Sequence, residues 1–111
     1  MKKLLICFVA ALNVLALSSS VFATEVKRTS SGQSFTSAWE LPASGTDWVM
    51  LYGFNKYAID EDYTHTKHYS TSHTAIVKNN NGQFSDSDTA NNWAKIEVTH
   101  SGTSIEYKLV Y

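Results

Sequence analysis

From Thr46 to Phe54 the chain sets Trp48, Met50, Tyr52 and Phe54 in alternation, with Val49 and Leu51 between them. This predicts a strand that is apolar on both faces and therefore central or covered. His73 to Asn79 returns to strand character through Ala75, Ile76 and Val77, and Asn81-Gly82 then marks a tight turn after an asparagine run that tolerates positive φ. Near the end, Ala94, Ile96 and Val98 alternate with Lys95, Glu97 and Thr99, and after Ser101-Gly102 the alternation resumes with Ile105, Tyr107 and Leu109. A two-residue loop at Ser101-Gly102 sets Val98 against Ile105, Ile96 against Tyr107 and Ala94 against Leu109, all on one face. A one-residue slip would oppose Val98 to Glu106. The pattern thus predicts a C-terminal β-hairpin whose wet face pairs Glu97 with Glu106 and Lys95 with Lys108, relieved by attractive diagonals.

Elsewhere the pattern is weaker. Phe35 to Trp39 reads as a short first strand, ended by Pro42 and the Ser44-Gly45 turn signal. Residues 55–72 mix polar and aromatic side chains without a period and read as a loop, and Ser85-Asp-Ser-Asp88 reads as a solvated connection. Residues 24–34 contain one apolar side chain, Val26, and read as a flexible N-terminal arm. No long helical period is present. The expected class is all-β, with residues 35–111 forming a small antiparallel β-sandwich or open barrel. An α+β fold with a helix near residues 56–69 is the alternative, although Tyr57, Thr64, Thr66 and Tyr69 are poor helix formers.

Residues 1–23 read as an export signal peptide. Lys2 and Lys3 form a basic start, Leu4 to Leu17 is almost continuously apolar, and Val21-Phe-Ala23 supplies a small-x-small site, so cleavage is expected after Ala23 and the product outside the cell. The apolar stretch is short for a bilayer span. Cys7, the one cysteine, falls in the segment to be removed, which excludes disulfides and thiolate chemistry from the remainder. Stability must then come from a core, to which twelve aromatic residues beyond Ala23 can contribute large buried areas. Without Lys2 and Lys3, seven basic residues face ten acidic ones, and this acidic balance argues against nucleic acid as a partner.

His65, His68 and His73 lie close together in sequence, just after Asp60-Glu61-Asp62. These residue types suit zinc or copper, but the spacing matches no zinc motif, and an extended 68–73 segment would send His68 and His73 to opposite sides. No metal and no cofactor are expected. No serine stands in a nucleophile elbow and no acid that reads as buried accompanies a histidine, so an enzyme is not expected either. Tyr57, Tyr63, Tyr69, the Thr64–Thr74 run and Asn79 to Asn81 form an aromatic, hydroxyl-rich and amide-rich set that suits saccharide or wall-precursor recognition.

The order Trp48 with Tyr52-Gly53, Tyr63 with His65 and His68, His73-Thr-Ala-Ile-Val77 with Asn79-Asn-Asn81, Trp93-Ala-Lys95 and the aromatic end Tyr107 to Tyr111 resembles the lactococcin 972 family of secreted bacteriocins, over roughly residues 46–111. The resemblance implies a β-sandwich exported by the general secretory route and left unmodified. It also implies antibacterial action on septum and wall synthesis through binding of lipid II, and a dedicated membrane transporter or immunity system. On the matched positions and their neighbours, the candidate ligand-binding residues are His65, His68, Tyr69, His73, Asn79, Asn80, Asn81 and Trp93. The chain departs from the family pattern in its acidic Asp60-Glu61-Asp62 run, which would repel an anionic pyrophosphate unless Lys56, Lys67, Lys78 or protonated histidines offset it. A secreted binding or adhesion module, or a histidine-based metal-binding protein, is the alternative function.

Overall fold

The computed structural model describes residues 24–111; the expected signal peptide, its cleavage site at Ala23 and Cys7 lie outside the described residues. The described chain is all-β, with strands β1 (Glu25–Thr29), β2 (Trp39–Ser44), β3 (Trp48–Asn55), β4 (Glu61–His68), β5 (His73–Asn79), β6 (Gly82–Asp88), β7 (Ala94–Thr99) and β8 (Glu106–Val110). They form two four-stranded antiparallel sheets, β1-β8-β5-β6 and β2-β3-β4-β7, packed face to face as a small β-sandwich. Both sheets and their shared core fall within residues 24–111, so this segment holds what it needs to fold alone.

The alternations define the core. Met50 and Tyr52 of β3 cluster with Val77 of β5 and with Ile105, Tyr107 and Leu109 at β8, all buried, while the buried Phe54 packs against Phe35 and His100. Trp39, Leu41, Trp48, Ile96 and Val98 pack against this cluster from partly exposed positions. Tyr107 is fully buried among aromatic rings, with Tyr52 at 5.1 Å and Trp39 edge-on at 5.9 Å between centroids.

Five expectations about the strands need correction. The C-terminal hairpin does not form: β7 pairs with β4 and β8 pairs with β1 and β5, so the two alternating runs lie in different sheets. Their apolar faces meet the core from opposite sides instead of lying next to each other. Residues 25–29 of the expected flexible arm form edge strand β1, held by the ladder to β8 and anchored by part-buried Val26. The supposed loop 55–72 contains β4, an interior strand whose inward side chains are polar; those of Asp62, Thr64 and His68 are hydrogen-bonded, and the Thr66 hydroxyl is buried without a partner. The solvated tract 85–88 belongs to β6, an edge strand that is indeed largely exposed. The first strand of the second sheet also begins later than expected, at Trp39, and runs through Pro42. Proline is tolerated there because β2 is an edge strand with no outer ladder to feed.

Where β4 faces β5, the sheets are joined by polar contacts. Asn79 Nδ2 donates to Asp62 Oδ2 at 2.9 Å, Thr64 Oγ1 donates to the Ile76 carbonyl at 2.9 Å, and His73 Nε2 lies 3.2 Å from the Thr66 carbonyl. At the neighbouring edge the Lys95 N–H, which β7 cannot pair in its own sheet, donates to Asp86 Oδ2 of β6 at 3.0 Å. The sandwich is therefore fastened by hydrogen bonds on this side and filled by aromatic rings on the other.

The loops sort to two ends. At the Tyr57 end, loops 30–38, 56–60, 80–81 and 100–105 are tied by Ser30 N–H to Ile105 O (3.0 Å), Asn80 N–H to Ser101 O (3.1 Å) and His100 N–H to Asp60 O (2.9 Å). At the Tyr111 end, Thr24 and Tyr111 exchange backbone hydrogen bonds, and Tyr69 N–H to Asp47 O (2.8 Å) and Asn91 N–H to His68 O (2.7 Å) join the remaining loops.

Candidate functional site

The structure divides the eight candidate ligand-binding residues among three places. His68, His73 and Asn79 are buried framework. His68 Nδ1 accepts hydrogen bonds from the N–H groups of Ser70 (3.1 Å) and Thr71 (3.2 Å), so its ring proton sits on Nε2. The ring lies against Tyr111, 4.4 Å between centroids. Both nitrogens of His73 face carbonyl oxygens, those of Thr71 and Thr66, each at 3.2 Å, so whichever nitrogen bears hydrogen braces backbone. The 68–73 segment turns instead of extending, which leaves both histidines inside the protein. Asn79 Oδ1 accepts from Asn81 N–H at 2.8 Å, building the turn into β6.

Asn79 belongs to a network that the sequence concealed. Asp62 is fully buried, accepting from Asn79 Nδ2 on one oxygen and lying 2.8 Å from His100 Nδ1 on the other. The His100 ring is enclosed by Phe35 at 4.3 Å and Phe54 at 4.9 Å. A buried acid thus does accompany a histidine, against the sequence expectation. The available signal was the alternation of Asp62 with Thr64 and Thr66, masked by the acidic run around it. The pair joins β4 to the loop after β7 as a buried clasp.

Asn80 and Asn81 are exposed at the Tyr57 end. The other three candidates lie elsewhere. His65 and Lys67 stand on the outer face of β4, His65 opposite Lys95 of β7, with His65 Nε2 2.8 Å from Glu97 Oε2. Lys67 Nζ sits 5.6 Å from the centroid of the part-buried Trp93 ring. Tyr69 follows at the end of the same strand, 52% exposed. This side of the sandwich brings together two lysines, an imidazole, an indole and a phenol, of which the lysines were not among the candidates. Asp60 is paired with Lys56 at 3.5 Å, and Asp62 points inward. Lys67 stands five residues beyond Asp62, about 16 Å along the strand. Glu61, on the same outer face, stands six residues before Lys67, about 20 Å along the strand, so the acidic run does not crowd the lysine, and the acid within the patch is Glu97 beside His65.

In the next row, Tyr63 lies between Gly53 and Glu97 in register and reaches past the glycine to donate to Glu40 Oε2 at 2.7 Å. Burial first, then the hydrogen bond and charge of Glu40, push the Tyr63 phenol well above its ordinary value of 10.0. Burial, then the charge of Asp62, does the same to Tyr107. Both shifts favour the neutral ring in the folded state, so their stability is complete below pH 10 and is lost as pH rises past the point where the unfolded chain ionises. We expect an absorbance titration to show these two tyrosines ionising only together with alkaline unfolding. Free ionisation of every tyrosine near pH 10 with the fold intact would contradict this.

Among the described residues no three histidine, aspartate or glutamate side chains converge on a metal-binding point. No helix among the described residues is long and apolar enough to cross a membrane. Compared with known proteins, the chain matches no family model, no curated protein and no solved structure.

Proposed function

We propose that the protein is exported and acts as an antibacterial β-sandwich at the envelope of related bacteria, binding a cell-wall precursor such as lipid II without catalysis and blocking septum formation. The observation that supports this reading is the outer-face patch. Lys67 and Lys95 offer charge to an anionic group, and Trp93 offers a ring for a sugar to stack on. Wall precursors combine sugars with phosphate and carboxylate groups. The family-like residues His68, His73, Asn79, Ala75 and Val77 serve the fold, so the resemblance bears on the architecture more than on the contacts. A dedicated membrane transporter or immunity protein would be the producer's partner.

The test is growth inhibition of related bacteria by purified residues 24–111, with cell shape followed alongside density. Elongated cells with blocked septa and intact membranes are expected. The Lys67→Ala/Lys95→Ala variant should keep its thermal midpoint and lose activity by about tenfold or more, the scale of one or two charge-assisted hydrogen bonds. His73→Ala should lose activity by unfolding, since its ring braces β4 to β5. Full activity in the lysine variant would remove the patch from the mechanism. The same patch on a protein that inhibits no strain would favour the second reading, a secreted binding or adhesion module for anionic saccharides. The metal reading lacks comparable support, because His65, His68 and His73 occupy separate environments.

A further inference from the structure

The turn joining β3 to β4 presents Tyr57, Ala58 and Ile59 to solvent, with Tyr57 97% and Ile59 53% exposed. These residues stand outside the core cluster. The turn is nonetheless built: Tyr57 N–H donates to Asn55 Oδ1 at 3.3 Å, and Lys56 and Asp60 pair across its base at 3.5 Å. Around it, loops 30–38, 80–81 and 100–105 carry serine, threonine, glutamine, glycine and asparagine, and no lysine, arginine, aspartate or glutamate. The Tyr57 end is thus an apolar tip inside a rim of hydroxyls and amides, with Lys56 and Asp60 paired at its base and Glu61 beside them at the start of β4.

Three side chains are far too few for a stable protein interface, which needs roughly 1,200 Å² in total. An aromatic and an aliphatic side chain on a short rigid turn suit the boundary between headgroups and acyl chains, where tyrosine places its ring in apolar surroundings and its hydroxyl in water. The absence of an unpaired lysine or arginine from the turn and loops of this end, the Glu61 carboxylate beside it and the acidic balance of residues 24–111 point away from anionic lipid. We propose that Tyr57, Ala58 and Ile59 insert into a bilayer interface and seat the Tyr57 end on zwitterionic headgroups. This goes beyond the antibacterial reading and does not depend on it. With the strands upright, Lys67 then stands roughly 20 Å above the surface, six residues beyond Glu61, so tip and patch make separate contacts.

The experiment is co-sedimentation of residues 24–111 with phosphatidylcholine vesicles, at low and high salt. We expect salt-insensitive binding that falls about tenfold in Tyr57→Ser/Ile59→Ser, the apolar area lost being that of one well-buried side chain. The variant should keep its thermal midpoint, because both side chains are already exposed. Tyr69→Ser, which removes the exposed tyrosine at the opposite end, should bind as the parent does. Absence of binding by the parent, equal binding by the double variant, or an equal loss in Tyr69→Ser would overturn the inference, as would binding that requires anionic phosphatidylglycerol. The readout involves no target strain, so a failure of growth inhibition leaves it standing.

Discussion

Asn79→Asp is expected to bring residues 24–111 close to unfolding at room temperature. The substitution is nearly isosteric, so the effect is chemical. Asn79 Nδ2 now donates to Asp62 Oδ2 and to the Thr99 carbonyl, both at 2.9 Å, and an aspartate places an acceptor where both acceptors wait. Asp62 has no solvent to turn to. Two carboxylates would share a dry site in which one must stay protonated or the strands must part. Breaking a buried charged pair costs about 3–5 kcal/mol, against a total stability of about 5–15 kcal/mol for a domain. Asp62→Asn should cost far less, about 1 kcal/mol, because its amide can accept from Asn79 with the oxygen and donate to His100 Nδ1 with the nitrogen. Urea denaturation of the two variants checks the argument, and equal losses would show that size rather than polarity governs the site.

Gly53→Ala is expected to be the most damaging small substitution on the outer face. A methyl group there would fall onto the Trp39 carbonyl oxygen, with the Glu40 backbone immediately beside it. Backbone cannot swing aside as a side chain does, so β2 must separate from β3. Overpacking of this kind costs about 1–3 kcal/mol. Because Tyr63 crosses Gly53 to reach Glu40, the same separation should lengthen that hydrogen bond. Denaturation should report the lost stability, and an alkaline titration should show the Tyr63 phenol moving back toward its ordinary value. A variant with parental stability and titration would mean that β2 bends freely at this point.

Periodicity revealed what faces the core better than which strand lies beside which. Ile96 and Val98, and likewise Tyr107 and Leu109, read correctly as inward-facing, but an apolar face is satisfied equally by a neighbour in the same sheet or by one across the sandwich. Local turn chemistry favoured the first. The connection from His100 to Ile105 instead crosses between sheets, held to Asp60 and Ser30 by backbone bonds that pair distant parts of the chain. β4 was missed for a different reason. Its inner face is Asp62, Thr64, Thr66 and His68, and partners supplied by β5, the 70–71 turn and His100 make Asp62, Thr64 and His68 compatible with burial, while the Thr66 hydroxyl is buried without one. The candidate site was legible by residue type in His65, Tyr69 and Trp93. Lys67 was legible only as one of several charges that could offset the acidic run, and its pairing with Lys95 in one patch depends on β7 lying beside β4.

The mutual backbone bonding of Thr24 and Tyr111 has a directional consequence. Whatever precedes Thr24 leaves the domain at the end opposite Tyr57. On the proposed export reading, a chain held at a membrane through that segment would be held by the end opposite the apolar turn. On the same reading, release would free the Tyr57 turn to face a bilayer.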